Sequence, residues 1–405
     1  MTTRRNLFII AGGAALTAAC REPARATTSV PPDLVVAHGR RGLVVLGGAR
    51  PRDLGHQAVL SPDGALACAM ARDDAGAPIL LRLDPAKGEP DARTPIAAGW
   101  VPRVISPDGD SCALTLTPAS DRPAPQQRTA LLVVAGGRQR EYDLAGVVEP
   151  DAFTTDGTGL FVLEWLPSEA PERYRVRLLD LGSGVPHPLY TRDKTPVPPG
   201  AEEEMRGDGR QAVLSPGRDV LYTLYTHQPG HRHTRDLIAG RPGGAHAFVH
   251  VLHLAQGWAY CLDLPHPFGE GPAAGHALAA SADGRRLAVA DVTSGSLAYA
   301  DTTSLKIERV AAAAKGGDAA SLAFTPDGGR VLLGAGPAVT AYDPGTGAVA
   351  GRWSVPTGVR GLGLNRDGSR VYAGGADEVV WLDAATGALR GRAPVEGLTA
   401  LRHVR

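Results

Sequence analysis

Histidine is concentrated in one stretch of this 405-residue chain. Seven of its twelve histidines fall between residues 227 and 266: His227, His231, His233, His246, His250, His253 and His266. Three consecutive glutamates, Glu202, Glu203 and Glu204, precede them. Neutral imidazole and carboxylate together are ligands for zinc, copper and other transition ions. No cofactor is expected; a transition metal is the one this stretch could hold, with His227, His231, His233 and His246 as its candidate ligands. On a strand, His246 and His250 would share a face about 13 Å apart, too far to share one ion. His253 would point to the opposite face. His250 and His253 thus read as packed strand residues. The three others can meet His246 only if their loop folds back.

Other chemistries leave no trace. The chain has no Gly-x-Ser-x-Gly elbow for a nucleophilic serine and no phosphate-cradling glycine loop ending in Lys-Ser/Thr. Lys plus Arg equals Asp plus Glu, at 42 each, which argues against a nucleic-acid binder. The expectation is a protein that binds and does not catalyse.

The N-terminus, MTTRRNLFIIAGGAALTAAC, is an address. Arg4 and Arg5 precede an apolar run from Leu7 to Thr17, too short for a spanning helix. The paired arginines resemble a twin-arginine export signal. Leu16 to Cys20 resembles a lipoprotein cleavage site, although its leucine stands four residues before the cysteine and not three. The reading is a signal peptide over 1–20, with Cys20 lipidated, a tether over 21–32, and a folded unit over 33–405. The protein would sit on the outer face of the cytoplasmic membrane. The alternative is cleavage near Ala26 and release as a soluble chain. Cys68, Cys112 and Cys261 remain as three unpaired, buried thiols. Cys68 and Cys112 hold equivalent places in adjacent repeats, expected to be too far apart for a disulfide.

The positioning elements follow from internal repetition. An apolar strand, Ser/Thr-x-Asp-Gly and a second strand recur at Ser61–Gly64, Ser106–Gly109, Thr154–Gly157, Ser281–Gly284 and Thr325–Gly328, and as Asn365–Gly368. Ser215–Asp219 is a degenerate copy. Asp-Gly is tight-hairpin chemistry, because glycine accepts positive φ and aspartate caps the turn. A third strand ending in Asp follows, as in Val379–Asp383, with Thr386-Gly387 as its exit, and then a fourth strand. Abundant glycine (51) and proline (33) with few aromatics (5%) suit many short strands. Four strands in about 45 residues, repeated round a ring, is an all-β propeller. Seven units are complete. Leu398 to Val404 reads as a first strand, and residues 34–49 as second and third strands. Joining them gives an eighth blade shared by the chain ends, with seven blades as the alternative.

These units resemble the YVTN type of bacterial β-propeller repeat, most closely over residues 276–397. The resemblance implies the fold and, only weakly, a function. Ala341 to Gly347 with Trp353 also resembles the docking repeat of eight-bladed quinoprotein dehydrogenases. Its tryptophan comes two residues late, and the adjacent cysteines of those enzymes are missing.

In such a ring the Asp-Gly turns share one face, while the second-to-third-strand loops and the inter-blade crossings share the other. Long insertions lie on the second face: Pro118–Arg128, Pro167–Arg173, Thr191–Gly209 and Thr226–Ala245. Long loops on a rigid ring are where binding sits. The expected ligand face therefore carries Trp100, Glu202, Glu203, Glu204, His227, His231 and His233. The expected function is a membrane-anchored, monomeric binding scaffold for an envelope protein or small ligand. The alternative is a metal- or quinone-dependent oxidoreductase using the histidine loop.

Overall fold

The computed structural model describes residues 28–405 apart from 49, 117–121 and 208–209. Arg4, Arg5 and Cys20 lie outside the described residues. Among those described, no helix is long and apolar enough to cross a membrane.

The chain forms a β-propeller of eight blades, each built on four antiparallel strands. Blades 1 to 7 run in chain order from Ala58–Leu60 to Leu389–Pro394. Blade 8 is shared by the two ends: Ala400–Val404 is its first strand, followed outward by Val35–Gly39, Gly42–Leu46 and Arg52–Gly55. The closing register runs from Val35 opposite Val404 to His38 opposite Ala400. Leu34 and Arg405 exchange both backbone hydrogen bonds, at 2.9 Å each. Closure in this way covers an inner strand edge that would otherwise stand open. The residues before the ring are also placed: Ser29 donates to the Arg392 carbonyl at 2.9 Å, laying that segment along blade 7.

The repeated turn has one mechanism in blades 1, 2, 3, 5 and 6. In blade 1, Ser61 Oγ donates to Asp63 Oδ1 at 2.6 Å, and the Ala65 and Leu66 amides donate to Asp63 and Ser61. Gly64 takes φ +68°. Thr154, Ser281 and Thr325 bind Asp156, Asp283 and Asp327 in the same way. The degenerate turn of blade 4 puts Arg218 in the left-handed conformation, at φ +60°. Its guanidinium donates to Asp63 at 2.5 Å and to the Pro107 carbonyl at 3.0 Å. The turn of blade 4 is thereby tied to those of blades 1 and 2.

The core is a series of apolar layers between adjacent blades. Inner strands are buried on both faces, as in Val371, Tyr372 and Ala373. Trp100 and both Cys68 and Cys112 belong to the layer between blades 1 and 2. Cys68 and Cys112 are free and line one small cavity there. The neighbouring Cys68 thiol and burial push the Cys112 thiol well up. The layer between blades 3 and 4 is the most aromatic: Trp165, Tyr174, Tyr225 and Phe248 form a chain of ring contacts.

The turn hydrogen bonds from Thr154, Ser281 and Thr325 hold the carboxyls of Asp156, Asp283 and Asp327 below the ordinary 3.8. A carboxyl depressed in the folded state contributes stability above its unfolded pKa and loses it as pH falls through the folded one. These three carboxylates should therefore add no pH dependence to the urea midpoint above pH 5 and should lower it below pH 4. Changing all three residues to Asn should lower the midpoint at neutral pH and shallow that drop. An unchanged acid profile in the triple variant would show that these turns carry no pH dependence.

Candidate metal centre

The seam between blades 3 and 4 is crossed by two long segments that meet. The first runs from blade 3 to blade 4 and contains the short strand Met205–Arg206, which pairs with the edge of Arg173–Asp180. The second is the loop between Val220–Tyr225 and Phe248–His253. Gln228 of this loop clasps Arg206 like a peptide: Oε1 accepts from the Arg206 amide at 2.9 Å, and Nε2 donates to the Arg206 carbonyl at 3.0 Å. The segment carrying the glutamates is thus pinned to the one carrying the histidines.

The extended backbone separates the three glutamates. Glu202 pairs with Arg175 at 2.8 Å and Arg177 at 3.3 Å, and Glu204 with Arg173 at 3.0 Å. Glu203, between them, turns inward. The histidine loop folds back, with the His231 amide directed at the Gln228 and Ala245 carbonyls. His233 then starts the short helix Thr234–Ile238. The fold-back needs glycine: a Cβ on Gly243 would lie 2.4 Å from the Gly230 carbonyl and 2.5 Å from that of His231.

Four side chains converge on the Glu203 carboxylate. Oε2 lies 3.5 Å from His231 Nε2 and 3.2 Å from His233 Nδ1. Oε1 lies 3.6 Å from His250 Nε2, and Cys261 Sγ lies between the two oxygens, 3.3 Å from Oε1 and 3.4 Å from Oε2. His250 and Cys261 face each other on the adjacent strands Phe248–His253 and Trp258–Asp263. These atoms form two potential ligand groups, Glu203/His231/His233 and Glu203/His250/Cys261, each with all donors within 4.8 Å of one another. Both loop histidine rings pack against Phe248. His233, His250, Glu203 and Cys261 line a pocket of about 390 Å³, with Tyr190, Arg192 and Ile238 among the residues around it.

The electrostatics favour ligation at Glu203 and His250 and set a proton in competition with a metal at His233 and Cys261. Burial would raise the Glu203 carboxyl, but hydrogen bonds with His231 and His233 and the nearby imidazole charge hold it well below its usual range. Burial lowers His250, which favours the neutral imidazole a metal needs. Burial also opposes charge on His233, yet bonds to Asp263 and Glu203 raise it to about 8. Burial and the Glu203 charge push the Cys261 thiol well up. His233 Nε2 meets Asp263 Oδ1 at 2.5 Å, and Arg235 holds the other oxygen of Asp263 at 2.5 Å. A carboxylate on the far nitrogen of an imidazole is the usual second contact of a metal-bound histidine. His231 Nε2 is buried, and its contact with Glu203 Oε2, at 3.5 Å, is too long to satisfy it fully. A buried acceptor or donor left alone costs about 1–3 kcal/mol, and an ion beside Glu203 would satisfy it.

The structure therefore brings His231, His233 and Glu203 together. It places His227 and His246 elsewhere: the His227 amide and His246 Nε2 both meet the Gly269 carbonyl, at 3.3 and 3.1 Å, at the crossing to blade 5. Glu202 and Glu204 are held by arginines, and Trp100 is 5% exposed within the apolar layer between blades 1 and 2. His250 and Cys261 are the site residues that spacing along one strand does not reveal. Their signal lies across the hairpin, since the two are equidistant from its turn at Ala255-Gln256.

No protein-family model matches this sequence, and no curated protein matches it. Among solved structures, the chain is similar to AztD of Citrobacter koseri. The TM-score is 0.56 at 12% identity, over 91% of this chain and 96% of that one. A structure of apo AztD from the same organism gives a TM-score of 0.52 at 12% identity, over the same shares. At this identity the likeness establishes the propeller fold.

Gly243→Ala should disrupt the fold-back and leave the ring intact. Limited proteolysis is expected to cut residues 226–245 at least several-fold faster, with an unchanged circular dichroism spectrum. Equal cutting rates would show that the close approach at Gly243 does not hold the loop.

Proposed function

We propose that this protein is a lipid-anchored, extracytoplasmic β-propeller of YVTN type that binds a transition metal ion of the zinc class. Glu203, His231 and His233 would hold the ion. The observation that carries the reading is the convergence of His231, His233 and Glu203 donor atoms within 4.8 Å of one another, with the buried Nε2 of His231 in only a long 3.5 Å contact to the carboxylate. Two imidazoles and a carboxylate are a recurrent zinc ligand set. Asp263 supports it by fixing which nitrogen of His233 faces Glu203. The metal would be the small ligand of a scaffold whose rigid blades fix the donors and whose loops supply them. Glu203, the carboxylate shared by the ligand groups, is engaged by imidazoles and held ionised, which suits ligation better than proton transfer.

Elemental analysis of protein purified from membranes without chelators should find zinc or a related ion bound in whole-number stoichiometry. The double variant His231→Ala, His233→Ala should bind zinc at least 100-fold more weakly, with the circular dichroism spectrum of the ring retained and its metal-free melting temperature lowered, because Glu203 loses two partners. A wild-type chain that binds no transition metal, even on titration, would end this reading.

The address is tested separately. Arg4, Arg5 and the segment ending in Cys20 support export and lipidation. Cys20→Ser should move the exported protein from the membrane to the soluble extracytoplasmic fraction. A wild-type chain already soluble and beginning after Ala26 would replace the anchor with simple release.

A further inference from the structure

The proposed zinc-class site uses one oxygen of Glu203. The other oxygen faces His250 Nε2, and Cys261 Sγ lies near both; these two donors come from the blade and not from the loop. The shortest distances from Glu203 to its four partners are 3.2, 3.3, 3.5 and 3.6 Å. Bonds of 2.0–2.3 Å in a tetrahedral shell put neighbouring donors about 3.3–3.8 Å apart, and the Glu203 distances lie close to that range. Among the described residues the donors fall into two compact groups, each within 4.8 Å, and Glu203 is common to both.

His231 is buried, and its ring stacks on Phe248 at 4.5 Å. His233, His250 and Cys261, with Glu203, line the pocket, so each set has a member beside it. Two-ion sites with the ions about 3.5–4 Å apart are a recurring arrangement. Here both loop histidines lie against Oε2 of Glu203, His250 lies against Oε1, and Cys261 Sγ lies 3.3 and 3.4 Å from the two oxygens.

We propose that the seam between blades 3 and 4 takes two metal ions bridged by Glu203. One is held by His231 and His233. The other is held by His250 and Cys261. The thiolate gives the second position the softer character, which favours zinc or copper over magnesium or calcium. This rests on the metal-binding reading above, and the test separates the two.

The experiment is titration of the metal-free full-length protein with cobalt(II), followed by absorption and by elemental analysis after desalting. The wild type should bind two ions per chain, one of them giving a thiolate-to-cobalt charge-transfer band. His231→Ala with His233→Ala should bind one ion and keep the band. His250→Gln with Cys261→Ser should bind one ion and lose it. Glu203→Gln should weaken both positions at least tenfold. Melting curves of the metal-free variants identify any that fail to fold, and Cys261→Ser alone, the mildest change, still tests loss of the band. One ion in the wild type, lost entirely by either double variant, would overturn the two-ion centre while leaving metal binding in place. No ion in the wild type would overturn the reading beneath it.

Discussion

A buried carboxylate needs partners, and Glu203 has four around it. An isolated charge in an apolar seam would cost several kcal/mol. Here two imidazoles of a loop, one imidazole of a strand and one thiol surround it. The arrangement explains why the crossing segment is pinned by Gln228, why the loop must fold back at Gly243, and why Asp263 and Arg235 stand behind His233. Each feature fixes one donor relative to the same carboxylate. The ring contributes rigidity: strand pairing fixes His250 opposite Cys261, and the aromatic layer beneath, with Tyr225 edge-on to His250, limits their movement.

Much of the architecture is legible in the sequence because it repeats. Asp-Gly turns and Asp-x-x-Thr-Gly exits each carry their own local hydrogen bonds, so the pattern recurs wherever those residues are present, as in blades 6 and 7. Even the eighth blade can be read, since leftover strands at the two ends complement each other. The segments that interrupt the pattern are legible as exceptions, and the site lies where two of them meet.

The donor set was only partly legible. Loop histidines stand out by their density, and Glu203 by its proximity to them in sequence. Which of three adjacent glutamates turns inward depends on Arg173, Arg175 and Arg177, whose strand captures the other two. His227 and His246 flank the loop but face the crossing to blade 5, because the Gly269 carbonyl is there to receive them. His250 and Cys261 belong to regular strands, where burial alone would account for them. Only the cross-strand register joins them.

The central claim is that Glu203 is a metal-binding carboxylate and not merely a buried partner of histidines. Anomalous diffraction at the zinc edge, from crystals of the full ring grown with zinc, tests it most directly. The account predicts anomalous density within bonding distance of Glu203, with His231 and His233 beside it. An empty seam, with Glu203 still hydrogen-bonded to His233 and zinc found only on surface residues, would contradict it.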